Sequence, residues 1–402
     1  MRLQRSRSRL SFRQRRWQPR RSPGCASLIF SALLVMGAAM MAVLWMGRFG
    51  TPPNAPQKND LVGAAQAAFE RGDLSGAINH ARQHLANAPD DINALYILTR
   101  ALIYRSYSEY NRDADRASAL AITTEAVTRN PNNSDMLAIH ALALQAENRP
   151  AEAATTAERA LKEDTPASAI ARTALALAYD SVGSYETALR ESERAVNTAN
   201  SRAALVDALR AQAISQRDVG RYQDAITTVD RAIALDEHLL ALHFERAQYA
   251  LLLGNSDSAT VSYFTILTHD ENNVKARLRL CELSSVMRER ERAVEYCHAV
   301  TERAPSWSEG WYRLGMEYFL QGNFEEAQGS LRRCATLQTL QNVPAADRRF
   351  ECWYIQGQAA EIRGDCPSLI AIYNEWRTIA ADATVRERWT YPPEGPTGCV
   401  GR

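Results

Sequence analysis

From Trp311 onward, the apolar positions Trp311, Leu314, Gly315 and Tyr318 recur at intervals of three and four residues, the period of one helix face. Gly322 interrupts the run where a tight turn is needed, and a second run then puts Ala327, Leu331 and Cys334 on one face. The pattern predicts two short helices joined by a turn within 34 residues. It also returns in register. Ala225, Ala259, Ala293 and Ala327 stand 34 residues apart, and Ala188, Ala153, Ala119 and Ala77 continue the series with small insertions. Five residues before these alanines lie Gly72, Gly183, Gly220, Gly254 and Gly322. Twelve before lie Ala65, Ala141, Ala176, Ala213, Ala247, Cys281 and Gly315, all small, as the closest approach of two antiparallel helices requires. Pro89, Pro131 and Pro305 close second helices, which proline cannot extend.

A helix–turn–helix unit at this period resembles the tetratricopeptide repeat. Eight repeats begin near residues 58, 92, 134, 169, 206, 240, 274 and 308. A degenerate ninth starts near 350, keeping Trp353, Gly357 and Gly364 but placing Leu369 where the alanine belongs. The resemblance implies an all-α, right-handed superhelical solenoid over residues 58–383, in which no unit buries its apolar face alone. It further implies that the first helix of each hairpin lines a concave face where peptides bind. Tyr96, Arg100, Arg210, Phe244, Gln248, Tyr312, Met316 and Phe319 would point inward there, and the aromatic and Met positions towards the C-terminal end suggest a groove for an apolar peptide. Asn59, Val62 and Gln66 do not reproduce the basic and asparagine clamp with which some members hold a C-terminal carboxylate.

The chain of 402 residues has a formal net charge of +1 that hides an asymmetry. Residues 1–24 contain nine arginines and no acid, leaving 38 basic against 46 acidic residues elsewhere. A nucleic-acid arm is one reading of that run. The next segment favours another, because Ala26–Gly47 is 22 residues without a charge, about 33 Å as a helix and enough to span a bilayer. Segment 1–25 is then a basic cytoplasmic flank, 26–47 a transmembrane helix and 48–57 a linker, with the repeats outside by the positive-inside rule. A cleaved signal peptide competes with the anchor, but no small-x-small site follows the apolar run. At the other end, 384–402 loses periodicity, and Tyr-Pro-Pro-Glu-Gly-Pro makes it an extended tail.

Six of the seven cysteines lie in the C-terminal third, an even number that suits disulfides in an exported domain. Cys281 and Cys297 flank a turn near Glu289 symmetrically, and Cys334 and Cys352 flank Val343, which leaves Cys366 with Cys399. Buried free thiols are the alternative. Repeat two carries about eight extra residues, whose Tyr104, Tyr107 and Tyr110 fall on one side of a lengthened helix, for packing on a neighbouring turn or for contact with a partner. His80 and His84 lack a third ligand, and Asn111, Asp113 and Asp115 lack the glycine and bidentate acid of a calcium loop. There is no phosphate loop, nucleophile elbow or zincin helix. The expectation is a plasma-membrane-anchored, extracytoplasmic scaffold for protein or peptide partners, without catalytic residues, metal, cofactor or nucleic-acid ligand. An enzyme or accessory of envelope processing with activity in the groove, and a cytosol-facing adaptor, are the alternatives.

Overall fold

The computed structural model describes residues 60–162, 168–386, 389, 396 and 399. The expected basic flank, transmembrane helix and linker fall outside them. No helix among the described residues is long and apolar enough to cross a membrane. Eighteen α-helices and no strand are found there, paired as nine hairpins. The first three are α1 (Leu61–Glu70) with α2 (Leu74–Leu85), α3 (Ile92–Ser108) with α4 (Ala114–Arg129), and α5 (Ser134–Ala146) with α6 (Pro150–Ala160). Then come α7 (Ser168–Ser181) with α8 (Tyr185–Thr198), α9 (Arg202–Asp218) with α10 (Tyr222–Leu235), and α11 (Leu240–Leu252) with α12 (Ser256–His269). The last are α13 (Val274–Val286) with α14 (Arg290–Arg303), α15 (Ser308–Gln321) with α16 (Phe324–Leu340), and α17 (Glu351–Ile362) with α18 (Cys366–Ile379).

The periodic small residues are where the helices cross. All eight alanines of the 34-residue series are fully buried, as are Ala65, Ala141, Ala176, Ala213 and Ala247. Methyl-sized side chains let the axes approach while larger neighbours such as Leu209, Leu242 and Leu331 fill the space around them. Helix starts are fixed locally. Asp73, Asp91, Asn133, Asn255 and Asn273 each accept a hydrogen bond from the backbone N–H three residues on, a cap contributing about 0.5–2 kcal/mol. The turn needs a left-handed residue, which glycine supplies in most hairpins. Asn148 and Arg288 take that place in the third and seventh, at φ 57° and 62°.

The six C-terminal cysteines join as Cys281–Cys297 within one hairpin, Cys334–Cys352 between hairpins eight and nine, and Cys366–Cys399 from α18 to the tail, at Cα separations of 5.3, 6.0 and 5.3 Å. The tail residue Trp389 packs edge-on against Tyr354, Tyr373 and Trp376. It fits because Gly357 lacks a side chain; a Cβ there would stand 2.2 Å from the indole. Trp389 and Cys399 thus cover the outer apolar face of the final hairpin.

Gly315 tests the packing rule. A Cβ at this position would lie 2.6 Å from Leu331 Cγ and 3.2 Å from the Leu331 backbone nitrogen, so neither atom can yield cheaply. Gly315→Leu is expected to destabilise the array by about 1–3 kcal/mol through overpacking. Hydrogen exchange should show the loss concentrated in α15 to α18.

Candidate functional site

The expected inward-facing residues have different fates, and the long helix α3 explains why. Its tyrosines and Arg100 reach across the concave side to α9. Arg100, 3% exposed, forks onto Asp207, with Nε 2.8 Å from Oδ2 and Nη2 2.9 Å from Oδ1. Tyr96 and Tyr104 donate their hydroxyls to the same carboxylate, each at 2.7 Å. The guanidinium also lies 4.5 Å from the centroid of the Phe69 ring, a cation–π contact. Burial alone would lower the Arg100 pKa, but Asp207 together with Tyr96 and Tyr104 turns the net shift upward. Burial, then the Asp207 charge, pushes both tyrosines well above their usual value. This cluster is therefore a fixed ion pair with fixed hydroxyl donors.

The end of α3 is held by hairpin seven. A helix C-terminus leaves carbonyls without partners. Lys275 Nζ donates to those of Ser106 and Tyr107 at 3.0 and 3.2 Å, and Asn273 Nδ2 to that of Ser108 at 3.2 Å. Beyond it, the ring of Tyr110 lies 5.1 Å from that of Trp307. The extra residues of repeat two thus pack on distant repeats of the same chain, with Tyr104 buried and Tyr107 set 4.9 Å from the Arg210 guanidinium.

Beside α3 lies a groove of about 810 Å³ formed by α9, α11, α12 and α13. Phe244, Tyr263, Leu251, Leu283 and Val286 supply its apolar wall, while Gln248, Lys275 and Arg279 supply donors. Val286 is 80% exposed, unusual for a valine, and Phe244 packs against Tyr263 at 6.1 Å between ring centroids. The acids are braced. Glu245 accepts from Arg210 Nη2 at 2.6 Å, and Glu282 from Arg279 at 2.6 Å and Arg313 at 2.9 Å. Burial raises the Glu245 pKa against the opposing effect of Arg210, and burial lowers that of Lys275. Thus Arg210, Phe244 and Gln248 come together here, whereas Tyr96 and Arg100 are consumed by the ion-pair cluster. Tyr312 is buried under Arg349, Met316 packs on the C-terminal core, and Phe319 rests on Phe324. Tyr263, Lys275 and Arg279 are groove residues that the sequence reading did not single out. Tyr263 lies on a second helix, and the two cations had no apolar signal.

A second, polar cavity of about 250 Å³ continues from Tyr107, Arg210, Glu245 and Gln248 towards α5 and α7. Asp180 on α7 lines it, 9% exposed, accepting from Ser215 at 2.8 Å. Burial lifts its pKa to about 7; the neighbouring Asp218 adds to the rise, while Ser215 and Arg217 oppose it.

The tetratricopeptide-repeat family matches residues 140–204, 210–267 and 308–339. Those three segments carry tetratricopeptide repeats. Among solved structures, it is similar to the Cut9–Hcn1 hetero-tetramer of the APC/C at 15% identity and a TM-score of 0.51, over 81% of this chain and 61% of that one. It therefore spans less than two thirds of that protein's length. It is also similar to the human IFIT1 dimer with m7Gppp-AAAA, at 16% identity and TM-score 0.47 over 66% of this chain and 68% of that one. YrrB, a TPR protein with an unusual peptide-binding site, shows 23% identity and TM-score 0.34 over 47% of this chain and 94% of that one. At these identities the likeness is one of fold. No protein of curated function matches the chain significantly.

Two outcomes test the electrostatics. Asp207→Ala leaves Arg100 charged and buried without its partner, so unfolding by urea should show a loss of about 3–5 kcal/mol. Asp180 behaves oppositely. Its folded pKa of about 7 exceeds the unfolded 3.8, so the folded state binds the proton more tightly and stability falls as pH rises between those values. Asp180→Asn removes that penalty. Its melting temperature should exceed that of the parent at pH 8, with the difference shrinking as pH falls from 7 towards 4.

Proposed function

We propose that this chain is a membrane-anchored scaffold that assembles protein partners by holding a peptide segment in the groove between α9 and α13. The groove carries the reading. It offers an apolar and aromatic wall, bounded by polar groups, between helices of the repeat array. Glu245 and Glu282 are gripped by arginines, which suits them to holding the groove's shape and not to moving protons.

The anchor in this reading is the apolar run Ala26–Gly47 behind an arginine-rich flank, and the flank favours repeats on the extracytoplasmic side. Three disulfides within the array and its tail fit an oxidising compartment. Cys25, on the inner flank, would remain a thiol.

One experiment addresses both parts. A photo-crosslinking amino acid is placed at Gln248 in the groove or at exposed Thr227 on α10, and protease is applied to spheroplasts after irradiation. A discrete adduct is expected from position 248 only, lost when Phe244→Ala is added and digested from outside. Equal capture from position 227 would remove the groove from the mechanism, and an adduct protected in intact spheroplasts would reverse the topology.

A further inference from the structure

The polar cavity next to the groove carries an excess of carboxylates, whereas cations outnumber acids in the lining of the groove itself. Its walls hold three carboxylates, Asp180, Asp218 and Glu245, and two guanidinium groups, Arg210 and Arg217. Both guanidinium groups are engaged. Arg210 is fastened to Glu245 and Arg217 to Asp218, each at 2.6 Å. Asp180 is left with a serine hydroxyl on Oδ2, and no protein group meets Oδ1. Glu245 Oε2 likewise has no protein partner. Three other buried acids of the array, Asp207, Glu191 and Glu317, each take an arginine. A carboxylate more than nine-tenths buried, without an ion-pair partner in contact, is costly unless it is protonated or an outside charge meets it.

The geometry points to Asp180 as the anchor for a lysine or arginine side chain of the bound peptide, received in the polar cavity while adjoining apolar residues of that peptide lie along Phe244 and Leu283. This rests on the peptide-binding reading of the groove and deepens it. The cavity is contiguous with the groove through Tyr107, Arg210, Glu245 and Gln248, so one extended segment can occupy both. Its volume of about 250 Å³ accommodates a four-carbon stem with its ammonium. The lining is rich in acceptors, and its guanidinium donors are already committed, which selects a donor-rich cation over an anion. The pKa of Asp180, near 7, lets an arriving cation hold the group ionised at neutral pH.

The test uses detergent-solubilised full-length protein and fluorescent, N-acetylated peptides of leucine and phenylalanine with one variable position. That position is filled by lysine, arginine, norleucine or glutamate, and affinity is read by anisotropy. Lysine and arginine peptides should bind at least tenfold more tightly than norleucine, and glutamate most weakly. Asp180→Asn should bring lysine and norleucine within twofold of each other, whereas Phe244→Ala should weaken all peptides by a similar factor and keep their order. A thermal melt confirms that each variant is folded. Equal binding of lysine and norleucine peptides by the parent, or a preference that survives Asp180→Asn, would overturn the cationic anchor while leaving the groove intact. Failure of every peptide to bind would overturn the groove reading and the anchor with it.

Discussion

The fork of Arg100 on Asp207 is the contact on which the arrangement of the array depends. A solenoid built only from neighbour contacts would flex along its length, because each hairpin touches just the next. Here a residue of hairpin two is clamped to one of hairpin five, 107 positions away, in a buried site closed by two tyrosine hydroxyls. Such a pair adds little net stability once the desolvation of both charges is counted. Its effect is on specificity, since any other curvature of the repeats would leave Arg100 or Asp207 charged, buried and alone.

The groove follows from that closure. Once α3 is held by Asp207 at its middle and by Lys275 and Asn273 at its end, it occupies part of the concave side and leaves a defined channel beside α11 and α13. Ion pairs continue the bracing towards the C-terminus, from Glu282 to Arg313, from Arg313 to Glu309, and from Glu309 to Arg349. These residues sit on successive first helices or just before one, so the ladder ties hairpins seven, eight and nine along one face. The disulfides and the docked Trp389 then secure the last hairpin, where Trp389 covers Trp376 and Tyr373.

Much of the local structure was legible in the sequence, for a physical reason that can be seen in individual residues. Ala225, Ala259, Ala293 and Ala327 recur at one period because the same helix crossing recurs, and each crossing excludes a larger side chain. Two of the cysteine pairs, Cys281–Cys297 and Cys334–Cys352, were legible because positions equidistant from a turn come level on antiparallel helices, and Cys366–Cys399 was the pair that remained. The candidate site was legible only in part. Helix periodicity could place Arg100 and Arg210 on inward faces alike, yet one is spent on Asp207 and the other borders an open groove.

By itself, then, the sequence determined the repeat, the hairpin and the cysteine register, because these depend on residues within about 34 positions of one another. The tertiary structure alone decided that Tyr104 would meet Asp207, that Lys275 would cap α3, and that Asp180 would lie buried without an ion-pair partner in contact. Those outcomes depend on the small rotation between successive hairpins, summed over several repeats. No local pattern encodes the total, so it is the accumulated curvature that brings distant side chains into contact.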